Sequence, residues 1–204
     1  MLFRSVVLEW TVDNGPCANG ITSDQVAINI FNGNAQQADA GPDQEICSTT
    51  SSVVLAANGA VGLATASWSV VQGSGIFADA TDESTTVTGL SVGENVFRWT
   101  IDNGACGLSF DEVSIFVFDA SNPVANAGAD QELCAPTTST TMTGSAITFP
   151  ATGTWTLVSG QGTITNSASP TSTITGLGIG ANVFQWTVDN GPCGAPTSDQ
   201  VTIF

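Results

Sequence analysis

Asn95-Val96-Phe97-Arg98-Trp99-Thr100-Ile101-Asp102-Asn103-Gly104 is the stretch whose pattern decides the fold. Phe97, Trp99 and Ile101 share one face, and Val96, Arg98 and Thr100 the other, which is the period of two of a half-buried β-strand. Asp102-Asn103-Gly104 then supplies a turn, because asparagine and glycine accept positive φ. Val113, Ile115 and Val117 resume the inner face on the returning strand. Upstream, residues 53–56, 67–71 and 84–87 read as strands bounded by glycine, asparagine or aspartate. No window holds a sustained 3.6-residue period.

The passage recurs. A shift of 87 residues places Cys47 on Cys134, Trp68 on Trp155, Trp99 on Trp186 and Cys106 on Cys193 without a gap. Thr88-Gly89-Leu90 meets Thr175-Gly176-Leu177, and Asn95-Val96-Phe97 meets Asn182-Val183-Phe184. A partial copy opens the sequence: Trp10-Thr11-Val12-Asp13-Asn14-Gly15-Pro16-Cys17 is identical to Trp186-Thr187-Val188-Asp189-Asn190-Gly191-Pro192-Cys193. The repeat predicts the C-terminal part of an incomplete module over 1–36, then complete modules over 37–122 and 123–204. Stacked repeats seldom end uncapped, so a window cut from a longer array is expected. Trp10, Trp68, Trp99, Trp155 and Trp186 take the inward phase and are expected in the cores. About seven short strands per module, with a tryptophan on the third, fit an all-β chain of tandem immunoglobulin-like β-sandwiches; other small sandwich topologies would show the same pattern.

Composition removes several functions. Eighteen acids face two bases, Arg4 and Arg98, for a net charge of -16, and histidine is absent. Nucleic acid and anionic membrane both need a basic face that two arginines do not supply. A histidine base, an imidazole metal site and a lysine Schiff base are excluded, so no enzyme activity is expected. No segment has the run of apolar residues that a membrane helix needs. The first ten residues do not read as a secretory signal, so an export signal would lie outside this sequence.

Five cysteines follow the repeat, one early and one late in each complete module. If the first strand begins beside the last hairpin, the sandwich predicts Cys47–Cys106 and Cys134–Cys193 bridges, with the partner of Cys17 outside the chain. Pairing Cys106 with Cys134 would span a strand length of about 25–30 Å, against the roughly 7 Å that a disulfide allows. Disulfides imply an oxidising compartment, hence the periplasm or the cell exterior, and an extracellular or cell-surface, secreted protein is expected. A catalytic thiol is disfavoured, since no histidine could activate it.

The string Ala125-Asn126-Ala127-Gly128-Ala129-Asp130-Gln131-Glu132-Leu133-Cys134, followed by Gly153-Thr154-Trp155, Thr173-Ile174-Thr175-Gly176-Leu177, Asn182-Val183-Phe184-Gln185-Trp186-Thr187 and Asn190-Gly191-Pro192-Cys193-Gly194, resembles a known tandem module. It is similar to the PKD-like, immunoglobulin-like repeats of very long secreted surface proteins of gliding Bacteroidota. The Trp-Asp-Phe-Gly-Asp-Gly string of the original PKD pattern is missing, so the likeness is to PKD-like modules only. The resemblance implies stalks, spacers and adhesive or filament-forming arrays.

Among candidate sites, Asp43, Asp102, Asp130 and Asp189 invite a calcium reading, calcium being the one cofactor considered. Turn aspartates bonding their own backbone explain most of them and are the preferred reading. Phe31 and Phe118 are placed at module junctions. The sequence therefore reads as an extracellular structural repeat protein, a rod, adhesive stalk or filament body. Its expected partners are other modules of the array and neighbouring copies in a filament. The alternative is a glycan- or receptor-binding module, or an accessory domain of a secreted hydrolase.

Overall fold

The structure, a computed structural model, describes residues 4–13, 15, 20–30, 35–122 and 124–204. Strands β1 (Arg4–Asp13) and β2 (Ile21–Ile30) form an antiparallel hairpin in continuous register, from Arg4 opposite Ile30 to Asp13 opposite Ile21. A first sandwich follows: β3 (Gln44–Cys47), β4 (Ser52–Val54), β5 (Thr65–Gln72), β6 (Ile76–Phe77), β7 (Thr86–Thr88), β8 (Gly93–Asp102) and β9 (Leu108–Phe118). One sheet runs β3-β9-β8-β5 and the other β4-β7-β6. The second sandwich comprises β10 (Thr140–Thr141), β11 (Thr152–Ser159), β12 (Thr163–Ile164), β13 (Thr173–Thr175), β14 (Asn182–Asp189) and β15 (Thr197–Ile203). Its sheets run β11-β14-β15 and β10-β13-β12, and a parallel bridge from Gln131 to Ile203 stands where β3 lies in the first.

The alternation in the sequence becomes the core. Phe97, Trp99 and Ile101 are fully buried on β8, facing the sheet that carries Val53 and Val87. Phe184, Trp186 and Val188 do the same on β14. Trp68 and Trp99 meet at 4.9 Å between ring centroids, and Trp155 and Trp186 at 5.0 Å. A buried indole needs a partner for its N–H. Trp99 Nε1 donates to the Asn58 carbonyl at 2.9 Å, and Trp68 Nε1 to that of Asp82 at 3.1 Å. Trp155 Nε1 donates to the Ser169 carbonyl at 3.1 Å and Trp186 Nε1 to Ser145 Oγ at 3.3 Å.

Trp10 departs from the core role expected of it. It is 75% exposed, because among the described residues no second sheet covers the β1–β2 hairpin. Leu8 and Val26 on the same hairpin are exposed with it. An identical strand sequence buries its tryptophan only where facing strands exist to receive it.

A polar residue also sits in the core phase of each sandwich. Asn95, fully buried, accepts at Oδ1 from the Ser74 and Ser91 backbone N–H groups at 3.0 and 3.1 Å. Its Nδ2 donates to the Ser91 carbonyl at 2.8 Å and the Ile115 carbonyl at 3.3 Å. Asn182 repeats the arrangement, accepting from Gln161 N at 2.8 Å and donating to the carbonyls of Gly178, Gly180 and Ile203 at 3.0, 3.0 and 3.3 Å. One amide thus ties a loop to two strands, and it satisfies backbone groups that burial would otherwise leave unpaired.

Candidate functional site

The described residues most distinctive of this chain lie where the two sandwiches meet. β3 runs parallel to β9, with Cys47 opposite Phe118 at the far end of that strand. Cys106 lies in a 3-10 turn, Gly104–Cys106, at its near end. The two are separated by nearly the whole of β9, roughly 30 Å at 3.3 Å per residue. The expected Cys47–Cys106 bridge is therefore not formed, and neither is Cys134–Cys193. Cys47 is bonded instead to Cys193, across a Cα–Cα distance of 4.8 Å and a sequence separation of 146. The segment that leads into β3 does begin beside the last hairpin, where Gln36 N donates to Asn103 Oδ1; β3 itself starts opposite Ile115, and Cys47 comes at its far end. The Cys193 hairpin of the second sandwich is thereby brought to the top of the first. Cys134 is exposed, and Cys17 lies outside the described residues.

Noncovalent contacts surround the bridge. Phe118 is buried at the junction, and its ring lies where a Cβ on Gly191 would have to go, 2.6 Å away. Gly191 also has φ +49°, a region that glycine enters without steric cost. The Phe118 carbonyl accepts from Ser48 N at 2.8 Å, and Ser48 Oγ accepts from Ala120 N at 2.9 Å. Asn190 Nδ2 donates to the Asp119 carbonyl at 2.9 Å, and its Oδ1 accepts from Asn122 Nδ2 at 3.1 Å. The Asn122 Oδ1 accepts from Thr148 N at 3.1 Å. Phe116 meets Phe149 edge to face at 6.2 Å. Phe31, the other residue placed at a junction from sequence, lies outside the described residues.

This packing makes Gly191→Ala a sharp probe. The left-handed backbone costs a β-carbon about 1–2 kcal/mol, and the added methyl meets the Phe118 ring. Reduction of the Cys47–Cys193 bond by dithiothreitol, followed by thiol labelling, is expected to accelerate about tenfold, the equivalent of some 1.4 kcal/mol. An unchanged rate would show that the Phe118–Gly191 contact does not hold the junction.

The linker turn is acid-sensitive by construction. The Ser121 hydroxyl at 2.7 Å and its backbone N–H at 2.8 Å both donate to Asp119 Oδ1, holding that carboxyl below its ordinary 3.8. Since the folded value is the lower one, the contribution is complete above the unfolded value and is lost as pH falls through the folded one. Carboxylate titration by NMR should give a lower Asp119 midpoint in the native chain than in Ser121→Ala. Equal midpoints would refute the assignment.

The four acids considered for calcium are held by backbone N–H groups. Asp43 Oδ1 accepts from Ser114 N and Asp130 Oδ1 from Thr202 N, each at 2.8 Å. Asp102 and Asp189 accept from Gly104 N and Gly191 N at 2.7 and 2.9 Å. Asp43 stands beside Ser114 while Asp102 pairs with Leu108, six positions away along β9, so the structure does not gather them. Among the described residues no three acids or cysteines converge as a metal site would require. Asp111 and Asp199 similarly anchor the segment entering each sandwich, accepting from Ala40 N and Ala127 N at 2.9 and 2.8 Å.

Sequence reading missed Asn95, Asn182, Asn190 and Asn122, and took Asn103 only as a turn former; its φ is -87°, and Gly104 takes the positive φ of the turn. A signal for the first two was present: Asn95 precedes Phe97, Trp99 and Ile101 in the same inward phase, and Asn182 repeats it. For Asn122 there was none, because its partners come from a loop and a hairpin far along the chain.

Residues 127–204 match the family described as K319L-like, PKD domain. No curated protein matches the sequence. The solved PKD domain from the KIAA 1837 protein is 30% identical, with a TM-score of 0.38, over 47% of this chain and 98% of that one. The PKD domain (329–428) of human KIAA0319 is 20% identical, with a TM-score of 0.37, over 44% of this chain and 88% of that one. Immunoglobulin domains 1–4 of Sidekick-1 are 11% identical, with a TM-score of 0.44, over 83% of this chain and 50% of that one. Residues 127–204 thus match a PKD domain, within a chain of immunoglobulin-like all-β sandwiches.

Proposed function

We propose that this chain is a tension-carrying segment of an extracellular array, forming part of a rod, adhesive stalk or filament body at a bacterial surface. The observation that carries this reading is the Cys47–Cys193 bond, which joins the far end of the first sandwich to the last hairpin of the second. A binding or catalytic module has no need of such a link, whereas a mechanical element gains a second covalent path beside its backbone. Disulfides persist in oxidising compartments, which supports an extracellular location. The net charge of -16 keeps such arrays soluble and mutually repelling.

Small-angle scattering of the whole chain, oxidised and as Cys47→Ser, tests the proposal. The oxidised chain should fit one fixed arrangement of the sandwiches, and the variant a broader spread of angles. Equal spreads in both would remove the mechanical reading.

A further inference from the structure

The Cys47–Cys193 bond stands where it can be opened and closed without dismantling the junction. Both cysteines are half-buried rather than sealed in a core. Beside Cys193 lies a cavity of about 260 Å³, walled in part by Ala120, Asn122, Val188, Asn190 and Thr197. No charged side chain is among the described residues that line it. A chain of net charge -16 thus leaves an uncharged approach to this sulfur. The contacts around the bond do not need it. Phe118 packs on Gly191, Phe116 meets Phe149, and Asn190 joins the Asp119 carbonyl to Asn122. The reduced sulfur is provided for as well: Cys193 Sγ lies 3.3 Å from the Phe118 carbonyl oxygen, an acceptor for a thiol S–H.

We propose that the junction is a reversible redox clasp. A small thiol reaches Cys193 through the cavity and opens the bond, while the surrounding contacts keep the two thiols facing each other. A small disulfide then closes it again. Holding two groups in register raises the effective concentration of one at the other above what a flexible tether alone gives. Re-closure between Cys47 and Cys193 is thereby favoured over pairing with any other cysteine. The inference rests on the array reading above and names how the stiffness of the array is regulated. Oxidised, the two sandwiches move as one piece; reduced, they are joined by the linker and by contacts that open and close.

Opening is a thiol–disulfide exchange with a small thiol as reductant. Its thiolate attacks Cys193 Sγ, the bond to Cys47 breaks, and Cys47 leaves as a thiolate that takes a proton from water. A second small thiolate attacks the small-molecule sulfur of the mixed disulfide and releases Cys193. The protein disulfide is reduced to two thiols, and two small thiols are oxidised to one small disulfide. Closing runs the same two exchanges backward.

The test equilibrates the full chain in buffers of set glutathione to glutathione disulfide ratio, starting from both the oxidised and the reduced side. Thiol labelling with peptide mapping measures the Cys47–Cys193 bond. The two directions should meet at one effective concentration, at least about tenfold above the roughly millimolar value of a short flexible tether. Asn190→Ala removes a donor to the Asp119 carbonyl and an acceptor for Asn122. It should lower that value about tenfold, the worth of two ordinary hydrogen bonds, while both sandwiches melt at the parent temperatures. A parent value in the millimolar range, a reduced chain that closes on a different pairing, or an Asn190→Ala chain equal to the parent would each overturn the proposal. Scattering from Cys47→Ser separates the two readings. Widened angles in that variant beside a millimolar value in the parent would sink the clasp and leave the array reading standing.

Discussion

Pulled from its two ends in an oxidising buffer, the chain will lengthen by roughly 50 nm less than the same chain in reductant. The Cys47–Cys193 bond shunts tension past a sequence separation of 146, and each extended residue spans about 3.3–3.6 Å. Both sandwiches can lose their packing without releasing that length, because force enters at Cys47 and leaves at Cys193. Single-molecule force spectroscopy with and without dithiothreitol reads the difference directly, and Cys47→Ser should reproduce the reduced trace. Equal contour-length gains in both buffers would show that the bond is not formed in the protein. The same link lowers the entropy of the unfolded chain, which the loop-entropy account values at about 5 kcal/mol as an upper figure.

The second large effect concerns the buried amide of Asn182. Asn182→Ala removes an acceptor for Gln161 N and a donor to the carbonyls of Gly178, Gly180 and Ile203. Each stranded buried group costs about 1–3 kcal/mol. A loss of at least about 3 kcal/mol is expected, lowering the melting temperature of this sandwich by roughly 10–20 °C. Asn182→Asp gives a second signature. Its carboxylate would face three carbonyl oxygens in the interior, so its folded pKa must rise above the unfolded value near 3.9. That variant will be at its most stable in acid and lose stability as pH climbs through about 4 and above. Thermal unfolding followed across pH decides the matter, and a variant insensitive to pH would contradict the buried network.

Much of the architecture can be read without coordinates because a sandwich strand carries its orientation in a two-residue period. Phe97, Trp99 and Ile101 on one strand and Val113, Ile115 and Val117 on the next announce the inner face, and all six are buried. The cysteine partners could not be read the same way. Periodicity says which face a residue takes, but not which end of the sheet it reaches. Cys47 was expected beside Cys106 because its strand starts there, yet β3 runs parallel to β9 and delivers its last residue to the opposite end. Trp10 shows a further limit: the strand sequence encodes the wish to be covered, and the cover itself comes from elsewhere.

The staggered disulfide also changes what a protease can achieve. A cut at any exposed loop between Cys47 and Cys193, such as the stretch around the exposed Phe149, divides the polypeptide in two. The pieces stay joined, because one holds Cys47 and the other Cys193. A single nick inside that span therefore leaves the two ends of the chain covalently joined until the disulfide is reduced as well.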